Sequence, residues 1–195
     1  MKKILPVILV LVLVLATLTA CVETDPITLL KEKLAYITTA KTVTHTIEVL
    51  AGTEQLSLQE NTYQVSGSGV SLTQKTTELN PNYPVDGIKT ITTTETSTLT
   101  AEQFNSKLPH SLNLTMESLV AESYNAMPSG STIIHKMTIL PQHISALLEI
   151  SSEQASTITN LQVTVVEYND HITSITLAYK STTGNNVTIT YSFAY

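Results

Sequence analysis

One cysteine, five histidines and sixteen carboxylates are the side chains of this sequence best able to act as nucleophiles, metal ligands or acid–base groups. Nucleophilic or metal chemistry at Cys21 would need a second group nearby, and no other cysteine exists to form a disulfide or a CxxC pair. His45, His110, His135, His143 and His171 are scattered, and none stands in the HxxxH or HExxH spacing that puts two imidazoles on one helical turn. Zinc needs three or four converging ligands, and nothing in the spacing supplies them. The chain has no GxSxG elbow, no glycine-rich phosphate loop and no Asp-rich calcium loop. Gly67-Ser68-Gly69 has the wrong surroundings for a nucleophile turn and reads as a hairpin turn. No pair of carboxylates stands out for glycoside chemistry. These residues argue against an enzyme and against any metal or cofactor.

Cys21 acquires meaning from its position. Lys2 and Lys3 precede an apolar run from Ile4 to Ala16, and small residues lead to Leu18-Thr19-Ala20-Cys21. That three-part plan is a secretory signal peptide. A membrane span needs about 20 apolar residues, whereas this run is shorter, contains Pro6 and breaks into Thr17 and Thr19. A general signal peptidase would also accept Thr-Leu-Thr-Ala. The last four residues resemble the lipobox of bacterial lipoproteins. The resemblance implies cleavage before Cys21 by signal peptidase II and a diacylglyceryl thioether on its sulfur. Two or three acyl chains hold a protein where one does so only marginally, since each buried CH₂ adds about 0.8 kcal/mol. Residues 1–20 are then the signal peptide, 21–25 the lipidated cysteine and a short tether, and 26–195 a single domain. Its address is extracytoplasmic: the outer face of the plasma membrane, or the periplasm or outer membrane of a cell with two membranes. The membrane itself is the implied partner.

Composition narrows the remaining classes. The full chain has a formal charge of −6, from ten basic and sixteen acidic residues. Losing Lys2 and Lys3 leaves eight against sixteen, hence −8 for the mature chain. Every basic residue is lysine. Arginine supplies the planar fork for phosphate and carboxylate recognition, and nucleic-acid binding depends on basic patches, so an acidic chain without arginine is a poor reader of nucleic acid.

The elements follow from hydrophobic periodicity. Asp25-Pro26 is an N-cap followed by proline at the first helical position, and Ile27, Leu30, Leu34 and Ile37 recur at helical spacing, which predicts a helix over 26–40. Val43, His45, Ile47 and Val49 alternate with Thr42, Thr44, Thr46 and Glu48, the period of a half-buried strand. Leu56 with Leu58, Tyr63 with Val65, and Val70 with Leu72 continue the strands. The threonine-rich stretch Thr90 to Thr100 is expected to be a strand with one solvated face. A second helix is expected over Asn113 to Asn125, a strand over Ser131 to Leu140, and a short third helix over Pro141 to Ile150. Ile175, Leu177 and Tyr179 alternate, as do Val187, Ile189, Tyr191, Phe193 and Tyr195. A three-residue loop Thr182-Thr183-Gly184 brings both apolar sets to one face, pairing Tyr179 with Val187 and Leu177 with Ile189. The turn at Asn169-Asp170 matches faces only with a bulge near Val166 or a longer loop. Residues 157–195 therefore form a three-stranded meander.

The expected fold class is α+β: a curved antiparallel sheet, a half-barrel, packed on an N-terminal helix and inserted helices. This element order resembles the half-barrel carriers of lipids and lipoproteins, the LolA/LolB class and the mycobacterial LppX/LprG lipoproteins. The arginine that the LolA class uses inside its cavity has no counterpart. The resemblance implies a non-catalytic protein that takes a lipid or other hydrophobic ligand between sheet and helices. Val43, Ile47, Val49, Leu56, Leu58, Ile175, Leu177, Tyr179, Val187, Ile189, Tyr191 and Phe193 are the candidate lining. The same residues would serve a filled core, which gives the alternative: an envelope or surface interaction lipoprotein without a ligand.

Overall fold

The computed structural model describes residues 25–67, 69–85, 87–109 and 112–195. The expected signal peptide, Cys21, most of the expected tether and His110 lie outside the described residues. No helix among the described residues is long and apolar enough to cross a membrane.

Helix α1 (Pro26–Leu34) continues as a 3₁₀ turn over Ala35–Thr39. Asp25 caps it, its Oδ1 accepting the Ile27 N–H at 3.1 Å, and Pro26 occupies the first turn where its missing donor is harmless. Ile27, Leu30, Leu34 and Ile37 are all buried and belong to the main hydrophobic core. The stripe at helical spacing is thus the face removed from water.

Nine strands make one antiparallel sheet: β1 (Thr42–Ala51), β2 (Glu54–Ser66), β3 (Gly69–Leu79), β4 (Thr90–Leu99), β5 (Asn125–Ser129), β6 (Thr132–Thr138), β7 (Ile158–Tyr168), β8 (His171–Ser181) and β9 (Asn186–Ala194). Their order is β4-β3-β2-β1-β9-β8-β7-β6-β5. The sheet is curved and unclosed, with β4 and β5 as free edges. β1 pairs with both β2 and β9, so the first and last strands join two meanders at mid-sheet.

The C-terminal registers follow the alternation. Tyr179 pairs with Val187 and Leu177 with Ile189, and Gly184 turns the loop at φ +88°, a conformation that costs glycine nothing. At the preceding turn, Asn169 and Asp170 both adopt positive φ, the geometry of a two-residue hairpin turn. A bulge between Val166 and Glu167 then restores the register, so Val163 meets Leu177 and Val165 meets Ile175.

Three expectations need correction. The helix over Asn113 to Asn125 does not form. Only a 3₁₀ turn, Met116–Ser118, is helical there, closed by reciprocal bonds between Thr115 and Ser118. Leu119 bridges to Ile139, the Val120 N–H donates to the Thr138 carbonyl, and Glu122 takes φ 58°. These groups satisfy the backbone through the end of β6, which a continuous helix would forbid. Second, the threonine-rich strand forms as β4, but both of its faces are exposed as far as Thr98. It lies at the sheet edge beyond the reach of the core. Third, two stretches to which the sequence pattern assigned no element form short helices: α2 (Ala101–Asn105) and α4 (Ser152–Ser156). Each starts at a capping box, Thr100 with Gln103 and Ser151 with Gln154. Between them α3 (Ile144–Leu148) follows a 3₁₀ turn at Pro141–His143.

Candidate groove on the inner face of the sheet

One transverse row of the inner face reads Gln74, Asn61, His45, Tyr191, Ile175, Val165 and His135, from β3 to β6. Its chemistry changes at β9. On the β8–β7 side the row is aliphatic and fully buried at Ile175 and Val165. On the β1–β3 side it carries two amides and an imidazole. Here the face borders an open groove of about 430 Å³, lined by His45, Gln59, Asn61, Tyr63, Leu72, Gln74 and Tyr191, with Ser106 and Lys107 of the turn after α2 at its rim. α2 holds that turn in place, because Phe104 is buried and its ring meets that of Tyr63 at 5.5 Å.

The groove's polar side chains hold one another. His45 stacks on Tyr191 with ring centroids 4.3 Å apart and planes 8° from parallel. Asn61 Nδ2 stands 3.4 Å from His45 Nδ1, and Gln59 Nε2 donates to Asn61 Oδ1 at 3.3 Å. Burial pushes the His45 pKa down to about 4, which keeps the imidazole neutral at physiological pH. Burial, with a smaller contribution from Tyr63, pushes the Tyr191 hydroxyl up to about 12, so it stays protonated. A second pocket of about 180 Å³ adjoins the first and shares Ser106, Lys107 and Tyr191 with it. Its other walls are leucine-rich: Leu108, Leu112, Leu147, Leu148 and Leu177, with Pro109 and Glu149.

The expected lining residues separate into several environments. Tyr191 lines both pockets, and Leu177 lines the smaller one. Val43, Ile175 and Phe193 are buried side chains of the packed interior. Ile47, Val49 and Ile189 are half-buried on the inner face. Tyr179 and Val187 border a separate open cleft with Asn160 and Lys180. Leu58 is corrected: it pairs with Glu48 and so points to the opposite face from Ile47 and Val49. Leu56 is corrected as well, being the extra residue where the β1–β2 register shifts between Val49 and Leu50. Gln59, Asn61 and Gln74 were missed. Counting back by twos from Tyr63 passes through Asn61, Gln59 and Ser57, so the change of parity after Leu58 was the signal available.

A second polar cluster lies under α1. Lys33 Nζ donates to Glu167 Oε1 and, at 3.3 Å, to Asp170 Oδ1. Glu167 is buried, with His135 Nε2 3.5 Å from its other oxygen, and Tyr124 Oη lies 2.9 Å from His135 Nδ1. Partial burial works to lower the Lys33 pKa, but its bonds to Glu167 and Asp170 outweigh that and raise it. Burial lowers His135 despite the nearby Glu167 carboxylate. With Lys33 on α1 and Glu167 on β7, this cluster ties the helix to the sheet. No group of three or more His, Cys, Asp or Glu side chains among the described residues is placed to hold a metal ion.

No family model and no curated protein matches the chain. A solved structure of a redesigned β-barrel aligns over 84% of this chain and 96% of its own, at 14% identity and a TM-score of 0.22. That likeness is too loose to carry an argument about fold or function.

Proposed function

We propose that this protein is an extracytoplasmic lipoprotein, anchored to a membrane through Cys21, that binds a hydrophobic or amphipathic ligand on the inner face of its sheet without catalysis. In this reading the sheet is a half-barrel and α1 with the inserted helices forms its lid. The observation that supports it is the pair of adjoining pockets, one amide-lined and one leucine-lined, that share Tyr191. Sites for small ligands are concave, largely apolar and fitted with a few placed polar groups. The order of chemistry across Tyr191 suits a molecule with a polar end and an apolar end. Native mass spectrometry of the full-length lipoprotein, released from membranes in a mild detergent, tests this. A bound species that dissociates on denaturation supports it, and ligand-free protein after gentle extraction counts against it. Metabolic labelling with a palmitate analogue tests the anchor: Cys21→Ser should abolish both labelling and membrane retention.

The alternative, an interaction lipoprotein with a packed core, draws support from the other half of the sheet. There Ile27, Leu30, Leu34 and Ile37 occupy the interior together with Leu161, Val163, Val165 and Ile175. Cross-linking to a protein partner in intact cells, with no ligand in the native mass spectrum, would favour it.

A further inference from the structure

We infer that the groove over β1–β3 takes a neutral, hydroxyl-rich ligand, a saccharide unit, rather than a carboxylate or phosphate group. The inference rests on the ligand-binding reading above and names the chemistry of its polar end. The lining carries dipoles in place of charges. Gln59, Asn61 and Gln74 each present a donor and an acceptor, and so do the neutral imidazole and the tyrosine hydroxyls. Among the described residues, the Gln74 amide and the Tyr63 and Tyr191 hydroxyls make no hydrogen bond, which leaves them available to a guest. Asn61, only 5% exposed, is held at the groove wall by donating to His45 and accepting from Gln59. A set of paired donors and acceptors matches hydroxyl groups, which also donate and accept. Leu72 and the ring of Tyr63 supply apolar surface for the C–H face of a sugar.

An anion would need cationic donors. Only Lys107 reaches the groove, at its rim, and the register places Glu95 beside Gln74 with the opposite charge. The burial that keeps His45 uncharged removes a second cation from the site. A groove of about 430 Å³ lies within the range of small-molecule sites, ~300–1,000 Å³. The saccharide has two sources, a free glycan or the headgroup of a glycolipid in the membrane that holds the protein.

The test uses the full chain in a detergent without a sugar headgroup. Saturation-transfer NMR is recorded with maltose, with the N-acetylglucosamine disaccharide, and with a neutral glucosyl-diacylglycerol carried in the same micelles. A dissociation constant of about 1 mM or tighter for a disaccharide, equivalent to ~4 kcal/mol, is expected. Gln59→Leu and Gln74→Leu should each weaken it by about fivefold, as for one lost hydrogen bond in a hydrated groove. Both variants must keep the wild-type circular dichroism; Gln74 lies on the open part of the sheet, where folding is least sensitive. Affinity should change by less than about twofold on adding salt, as expected for a ligand without charge. Saturation transfer to the glycolipid headgroup alone assigns the headgroup source, and binding of the free disaccharide assigns the glycan. The inference is overturned by affinity that falls steeply with added salt, by binding that neither glutamine variant changes, or by the absence of any saccharide binding. If palmitate binds while saccharides do not, this inference fails and the hydrophobic-ligand reading stands. If nothing binds, both fail.

Discussion

The two flanks of the nine-stranded sheet are built from similar alternating sequences, yet they end in opposite environments. On the β6–β9 flank, Val163, Val165 and Ile175 are 0% exposed. On the far flank, Ile91 of β4 is 45% exposed, and its strand is open to water on both faces as far as Thr98. β-Propensity does not separate them, because valine, isoleucine and threonine suit either flank. Cover does. α1 and its 3₁₀ continuation contact β8, α4 contacts β7, and the Lys33–Glu167 pair joins helix to strand. On the other flank α2 contacts β3, and the turn after it lines the groove. The part of the sheet that is incompletely covered is the part left free to hold something else.

Removing core volume is the most severe way to test this contrast. Ile175→Ala should cost about 3 kcal/mol, because the cavity lies under a packed helix and collapses poorly, and a urea midpoint series would measure it. A cost below about 1 kcal/mol would mean that the β8 interior is looser than its burial implies. Lys33→Met comes next. It leaves Glu167 buried without its main cationic partner, and a loss of about 2 kcal/mol is expected. Because Lys33 is itself partly exposed, some of that loss should be screened by added salt.

The groove should reveal itself through pH. His45 has a folded pKa of about 4 against an ordinary 6.5, so the native state holds fewer protons than the unfolded chain between those values. Its contribution is complete above pH 6.5 and declines as pH falls toward 4. His45→Gln should therefore reduce the loss of stability between pH 7 and pH 5 by about 1 kcal/mol, after allowing for water in the groove. His135, also lowered, acts in the same direction and should leave a residual slope. An unchanged slope in His45→Gln would show that the imidazole is freely hydrated. The smallest effect belongs to the far edge: Ile91→Ala should shift stability by no more than about 0.5 kcal/mol. A larger loss there would erase the distinction between the flanks.

Much of the architecture was legible because its causes are local. Val187, Ile189, Tyr191 and Phe193 alternate without a break, and Gly184 marks the only residue in its loop that adopts positive φ freely, so the β8–β9 register followed from counting. The same arithmetic called for a bulge or a longer loop at Asn169-Asp170, and the bulge is what forms. Thr100…Gln103 and Ser151…Gln154 were equally legible as capping boxes, and overlooking them cost the two short helices. The stretch from Asn113 to Asn125 misled, because its polar and apolar residues fit a helix about as well as a loop. Its backbone instead finds partners at Thr138 and Ile139, which are distant in sequence.

By itself, then, the sequence determined the α1 stripe, the alternation of the strands, the β8–β9 register and the lipobox-like setting of Cys21, all of which depend on neighbours a few residues apart. Only the tertiary structure decided which flank of the sheet would be covered, that Leu58 faces away from Ile47, and that Gln59, Asn61, Gln74, His45 and Tyr191 meet around one groove. Alternation records that a strand has two unlike faces. What lies over each face is set by contacts between residues far apart in the chain, and these form only when the whole sheet has assembled.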